Sequence, residues 1–152
     1  MSTTTAKPRD TAAIEHIQYV HATPAQVYDA LTSQQGLAEV WTDTLTVQAV
    51  MGAVNEFHFG DAGSVKVKIV EWLPRSRLAW RCLESDPQWV GTQISFDLER
   101  RDDSTAVVLR HEGWREVTEF YRWCNYNWAM FLYSLKSYCE DGAGLPFQRR
   151  RF

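Results

Sequence analysis

The chain is poor in cysteine, carries no surplus of positive charge and contains no long apolar run. Each deficit removes a class of function. Cys82, Cys124 and Cys139 form no CxxC pair and share no repeated spacing. An odd, sparse set of this kind suits a reducing cytosol better than a disulfide scaffold. No stretch approaches the ~20 apolar residues of a membrane span. Met1 to Thr11 is polar and Thr-rich, without the apolar core of a secretory signal. The net charge of -3 gives no electrostatic reason to bind nucleic acid or an anionic membrane. Arg149-Arg150-Arg151 is the only basic cluster, and so near the end of the chain it reads as a frayed, solvated terminus. A soluble, cytoplasmic protein is expected, with no nucleic-acid partner and no membrane insertion.

Catalytic signatures are missing as well. There is no Gly-rich phosphate loop, no GxSxG elbow and no HExxH. His16 and His21 lie five apart around a strand, which puts them on opposite faces and prevents a shared metal. Glu99, Asp102 and Asp103 sit at a hairpin and should be solvated. No catalytic residue, metal ligand or cofactor is therefore assigned.

What the chain has in quantity is aromatic: seven Trp, seven Phe and six Tyr in 152 residues. Many fall in one segment, Thr118 to Glu140, which reads as a single helix. Tyr121, Cys124, Trp128, Phe131, Leu132, Leu135 and Cys139 recur there at steps of three and four, gathering on one face. So broad a face needs a large apolar surface to cover it. The preceding sequence offers one. Ala13 to Val20 alternates as a first strand, and Thr23-Pro24-Ala25-Gln26 is a capping box opening a helix over 24–33. A second short helix is expected over 34–41, after a break near Ser33 and Gly36. From Thr44 the period becomes two, with strands at Leu45–Val50, Val54–Phe59, Val65–Ile69, Leu78–Cys82, Ile94–Leu98 and Val107–His111. Gly60-Asp61-Ala62-Gly63, Pro74-Arg75-Ser76-Arg77 and Arg101-Asp102-Asp103-Ser104 supply turns, and Gly142 is placed to end the last helix. The expected fold is α+β: an antiparallel sheet closed by one long helix.

Five local motifs in this order resemble the START-related superfamily (SRPBCC, helix-grip proteins), and within it the Hsp-90 ATPase activator homologue branch. The first is Ala22-Thr23-Pro24-Ala25-Gln26-Val27-Tyr28-Asp29-Ala30-Leu31-Thr32, and the second pairs Leu37 with Trp41. Glu71-Trp72-Leu73-Pro74 followed by Leu78 and Trp80 is the third, and Thr105 to Gly113 the fourth. Trp128, Leu132, Leu135, Lys136 and Gly142 form the closing motif. Val40 and Gly52-Ala53 depart from the usual pattern, at a position near the pocket entrance and at a turn. The resemblance implies a curved seven-stranded antiparallel sheet gripping the C-terminal helix around an apolar cavity. It also implies a division into a tail over 1–12, a START-like domain over 13–144 and a second tail over 145–152. It does not imply one function: members bind lipids or other hydrophobic small molecules, some cyclise or aromatise polyketides, and the namesake domain assists a chaperone.

Strand alternation and helix periodicity select Trp41, Phe57, Phe59, Trp80, Phe96, Tyr121, Trp128 and Phe131 as the lining of that cavity, where a small hydrophobic or aromatic ligand would bind. Each of these aromatics would serve equally well as plain core packing. His111 falls in step with Val107 and Leu109 and should point inward. It is either a buried neutral histidine or the main polar contact of the pocket. In a cyclase or aromatase, His111 and Tyr121 would be the acid-base candidates. A protein partner, as for the chaperone activator, or a homodimer is the remaining alternative.

Overall fold

The computed structural model describes residues 12–152, so the N-terminal tail, Ala12 apart, lies outside the described residues. In chain order the elements are β1 (Ala12–Val20), α1 (Pro24–Thr32), α2 (Gln34–Val40), β2 (Thr44–Thr46), β3 (Val54–His58), β4 (Ser64–Leu73), β5 (Arg77–Glu84), β6 (Gln93–Arg101), β7 (Ser104–Trp114) and α3 (Glu119–Asp141). All seven strands join one antiparallel sheet in the order β1-β7-β6-β5-β4-β3-β2. This is the helix-grip α+β architecture expected.

Local chemistry sets the helix boundaries. Thr23 Oγ1 accepts from the Gln26 amide at 3.1 Å and Gln26 Oε1 from the Thr23 amide at 2.9 Å, a reciprocal box with Pro24 at the first helical position. Ser33 ends α1 and begins α2, its Oγ accepting from the Gly36 amide at 2.9 Å. Gly36 is required here because a Cβ would collide with the Ala30 carbonyl of α1. Thr118 caps α3, and Gly142, at φ 82°, closes it in the left-handed region.

One strand is shorter than its alternation suggested. Leu45–Val50 reduces to the three-residue β2 because side chains intercept the next amides. Gln34 Oε1 takes the Val47 N–H and Asn55 Oδ1 the Gln48 N–H, leaving neither for a strand ladder.

The inner face of the sheet carries Val65, Val67 and Ile69 of β4, Leu78, Trp80 and Cys82 of β5, Ile94, Phe96 and Leu98 of β6, and Val107, Leu109 and His111 of β7, all buried. Against them α3 buries Tyr121, Cys124, Trp128, Phe131, Leu132 and Leu135. The opposite face is charged: Arg77 pairs with Glu71 and Asp97, and Arg110 with Asp97 and Glu15.

The segment after α3 corrects the expectation of a frayed, solvated terminus. Leu145 N–H donates to Ser134 Oγ at 2.7 Å, Phe147 N–H to the Trp41 carbonyl at 2.7 Å and Gln148 Nε2 to Thr42 Oγ1 at 2.7 Å. Gly144 lies so close to Glu39 that any Cβ would meet its carbonyl. The chain is thereby strapped along the C-terminal end of α2, and the middle arginine, Arg150, is buried with 8% exposure. Its flanking neighbours Arg149 and Arg151 are exposed.

Candidate functional site

Four of the eight aromatics proposed as a cavity lining are fully buried in a packed interior. Phe57 lies 4.5 Å from Trp41 between ring centres, Trp80 5.1 Å from Phe96, and Phe96 5.7 Å from Phe131. Their faces and edges contact one another, leaving no wall of theirs on the pocket described below. Tyr121 is also diverted, its hydroxyl donating to the Ala13 carbonyl at 2.7 Å. The strand and helix periods identified which side chains point inward. Whether an inward side chain meets a neighbour or a space depends on rotamers and volumes.

His111 belongs to this packed interior. The Trp128 indole N–H donates to His111 Nδ1 at 3.0 Å, and His111 Nε2 lies 2.8 Å from Thr92 Oγ1. Thr92 Oγ1 in turn donates to the Trp89 carbonyl at 2.6 Å. An indole nitrogen can only donate, so Nδ1 accepts and the proton sits on Nε2, from which it is donated to Thr92. The resulting relay, Trp128 to His111 to Thr92 to Trp89, satisfies every member. Desolvation pushes the His111 pKa down to about 3, so the ring is neutral. With both nitrogens engaged and Trp89 and Trp128 packed around it, His111 does not reach the pocket wall. Neither acid-base candidate offered by the sequence therefore faces the pocket.

The pocket itself opens beside α3, toward one end of the sheet, and has a volume of about 550 Å³. Trp41, Phe59 and Trp128 of the expected set line it. They are joined by Trp89, Phe120, Trp123, Cys124 and Phe147, which had not been singled out as lining residues. Trp89 comes from the β5–β6 connection, where Asp86 and Pro87 signal only a break. It stacks on Trp128 at 5.8 Å and donates its indole N–H to Cys124 Sγ at 3.3 Å. Phe147 arrives on the C-terminal strap and packs edge-on against Phe59 at 5.3 Å. Polar atoms come from Ser64, Ser85, Glu84, Asp86, Asn127 and Arg150. Among the described residues no group of three or more His, Cys, Asp or Glu is placed to hold a metal ion. No helix among them is long and apolar enough to cross a membrane.

Arg150 is the one buried cation on this wall. Its Nε–H donates to the Leu145 carbonyl at 2.9 Å and an Nη2–H to the Val40 carbonyl at 3.0 Å, which caps the end of α2. No carboxylate pairs with it among the described residues, and burial pulls its pKa down to about 10. Cys124 has the opposite character. Burial pushes its thiol up to about 12, so it stands on the wall as an uncharged, weakly polar group.

The sequence model of the "Activator of Hsp90 ATPase homolog 1-like protein" family matches residues 21–140. No curated protein sequence matches the chain. Among solved structures, the Aha1 dimer from Colwellia psychrerythraea is 36% identical, with a TM-score of 0.82, over 88% of this chain and 99% of that one. DynU16, a protein of the dynemicin biosynthetic locus, shares the fold at 22% identity and a TM-score of 0.72, over 90% of this chain and 49% of that one. Protein MLL2253 from Mesorhizobium loti shares it at 17% identity and a TM-score of 0.73, over 83% of this chain and 95% of that one.

Proposed function

This chain belongs to the family of activator of Hsp90 ATPase homolog 1-like proteins, within the START-related helix-grip superfamily, and from that premise we propose that it binds a small aromatic or apolar ligand in the pocket beside α3. The observation that carries the reading is the composition of the wall: Trp41, Trp89, Trp123 and Trp128 with Phe59, Phe120 and Phe147, around about 550 Å³. A concave site with rigid aromatic walls and a few polar groups is the usual form of a small-molecule site. The packed interior beneath it, held by the His111 relay, fixes the Trp128 ring in place. The free cysteines Cys82, Cys124 and Cys139 support the reading of a cytosolic protein.

The test is saturable uptake of N-phenyl-1-naphthylamine, a neutral fluorescent aromatic. One molecule per chain should bind, and Asn127→Trp, which fills the pocket from α3, should weaken uptake at least tenfold while the far-ultraviolet dichroism and cooperative urea unfolding are retained. Absence of saturable uptake by the folded protein would remove the reading.

A second reading rests on a separate observation. Trp123, Tyr126, Tyr133 and Phe152 are exposed on and beside the outer face of α3, and Phe152 packs on Trp123 at 4.7 Å. We assign this face to a second copy of the chain, in keeping with the relative solved as a dimer. Light scattering across a concentration series should show a dimer that Tyr126→Glu dissociates; a monomer at all concentrations would refute it.

A further inference from the structure

We propose, resting on the reading of the pocket as a small-molecule site, that its ligand is a planar aromatic carboxylate whose acid group docks on the unused edge of the Arg150 guanidinium. A guanidinium carries five N–H donors in one plane. In Arg150 one edge is spent on the Leu145 and Val40 carbonyls, which explains how the strap is tied to α2. The remaining donors, including both on Nη1, have no acceptor among the described residues; the residue is only 8% exposed, yet Nη1 is not sealed off from solvent, and the residue lines the pocket. Carbonyl oxygens satisfy hydrogen bonds but leave the charge without a counter-ion. A buried charge in that state is stabilised by whatever anion can reach it. The neighbouring arginines do not share the situation: Arg149 is exposed and pairs with Glu39 at 3.5 Å, and Arg151 is exposed.

The remaining wall orients such a ligand. Trp41, Phe59 and Phe147 line the pocket together with Arg150: the Arg150 amide donates to the Phe147 carbonyl at 3.2 Å, and Phe147 bonds to Trp41 through the backbone and packs on Phe59. Aromatic surface and the cation thus share one wall, as an aromatic acid requires. The two carboxylates of the wall, Glu84 at the end of β5 and Asp86 in the β5–β6 connection, are exposed. Glu84 pairs with Lys66 at 3.3 Å, and Asp86 accepts from the Gln88 amide at 2.9 Å. They repel an acid group from their own wall and so favour a single orientation, with the acid toward Arg150 and the ring against the tryptophans. The free donors of Nη1 and Nη2 form the forked edge that matches a carboxylate.

The experiment compares 2-naphthoate with its neutral isostere 2-naphthamide by isothermal titration, with nitrogen-15 spectra of the indole N–H groups locating the site. Wild-type protein should bind the acid at least roughly tenfold more tightly than the amide, the scale of one charge-assisted hydrogen bond. Added salt should weaken only the acid. Arg150→Gln should reduce affinity for the acid by a similar factor and leave the amide within twofold, while Arg150→Lys should retain part of the preference. Equal affinity for acid and amide in the wild type would overturn the proposal while leaving the pocket reading standing. Retention of the acid preference in Arg150→Gln, or indole shifts confined to residues outside the pocket, would overturn it equally. If Arg150→Gln fails to fold, the wild-type comparison and Arg150→Lys still decide. Failure of both compounds to bind would overturn the pocket reading, and this proposal with it.

Discussion

The indole N–H of Trp128 points at Nδ1 of His111, 3.0 Å away, and this single contact dictates the tautomer of a histidine with no exposure to water. Trp128 thus belongs to two structures at once, the pocket wall through its ring and the core relay through its nitrogen. Trp128→Phe keeps an aromatic ring but removes part of the buried indole and leaves Nδ1 without a donor. It should destabilise the protein by about 1–3 kcal/mol in urea unfolding. His111→Gln should cost at least as much, because it disturbs both ends of the relay, while ligand affinity should change less than twofold in whatever fraction remains folded. A loss of affinity much larger than the loss of stability would show that His111 contacts ligand after all.

The same relay sets a pH dependence. In the unfolded chain His111 takes up a proton near its ordinary value of 6.5, whereas the folded protein resists until about pH 3. Its contribution to stability is therefore complete above pH 6.5 and is lost as the pH falls through that window. The slope reaches at most about 1.4 kcal/mol per pH unit. Urea midpoints between pH 4.5 and 7 should fall with acid more steeply in wild type than in His111→Gln, and parallel curves would contradict this account.

Thiol chemistry gives an independent check on burial. Desolvation pushes Cys82 up to about 11 and both Cys124 and Cys139 up to about 12. At pH 8 Ellman's reagent should label all three much more slowly in the native protein than in 6 M guanidinium. Rapid labelling of Cys124 alone would mean that the pocket opens further than this structure shows.

Gly36→Ala tests how closely the two short helices approach. The added methyl meets the Ala30 backbone rather than a movable side chain, so relief requires separating α1 from α2. Thermal unfolding should register a loss of about 1–3 kcal/mol. A neutral or stabilising result would mean that the helices slide apart freely.

The sheet, the long helix and the capping box were legible because each rests on a short-range rule. Two-residue alternation placed Phe96 and His111 inward, and the Thr23–Gln26 reciprocity needs only four consecutive residues. β2 was overestimated because Gln34 and Asn55, remote in sequence, take the amides a longer strand would have used. The pocket was half legible. Trp41, Phe59 and Trp128 follow from periodicity. Trp89 sits in an irregular connection and Phe147 and Arg150 on a non-helical strap, so no period marks them. Three arginines in a row carry one signal in sequence, solvation, and it takes the long-range docking of the strap, Gly144 against Glu39 and Phe147 on the Trp41 carbonyl, to turn the middle one inward.

The pairing of β1 with β7 also has a consequence in time. Among the described residues β1 is an edge strand that pairs with β7 alone, with Val20 opposite Thr105 and Ile14 opposite His111. Everything between must be traversed before that pairing can form, whereas β2 meets β3 across a short connection. Long-range closure of this kind slows folding far more than local hairpins do. If that closure is the late barrier, substitutions along β7 retard refolding, whereas those in β2 mainly hasten unfolding. Until β7 arrives, β1 is an unpaired strand edge with Ile14 and Val20 uncovered, and in that interval the chain is most open to pairing with another copy of itself.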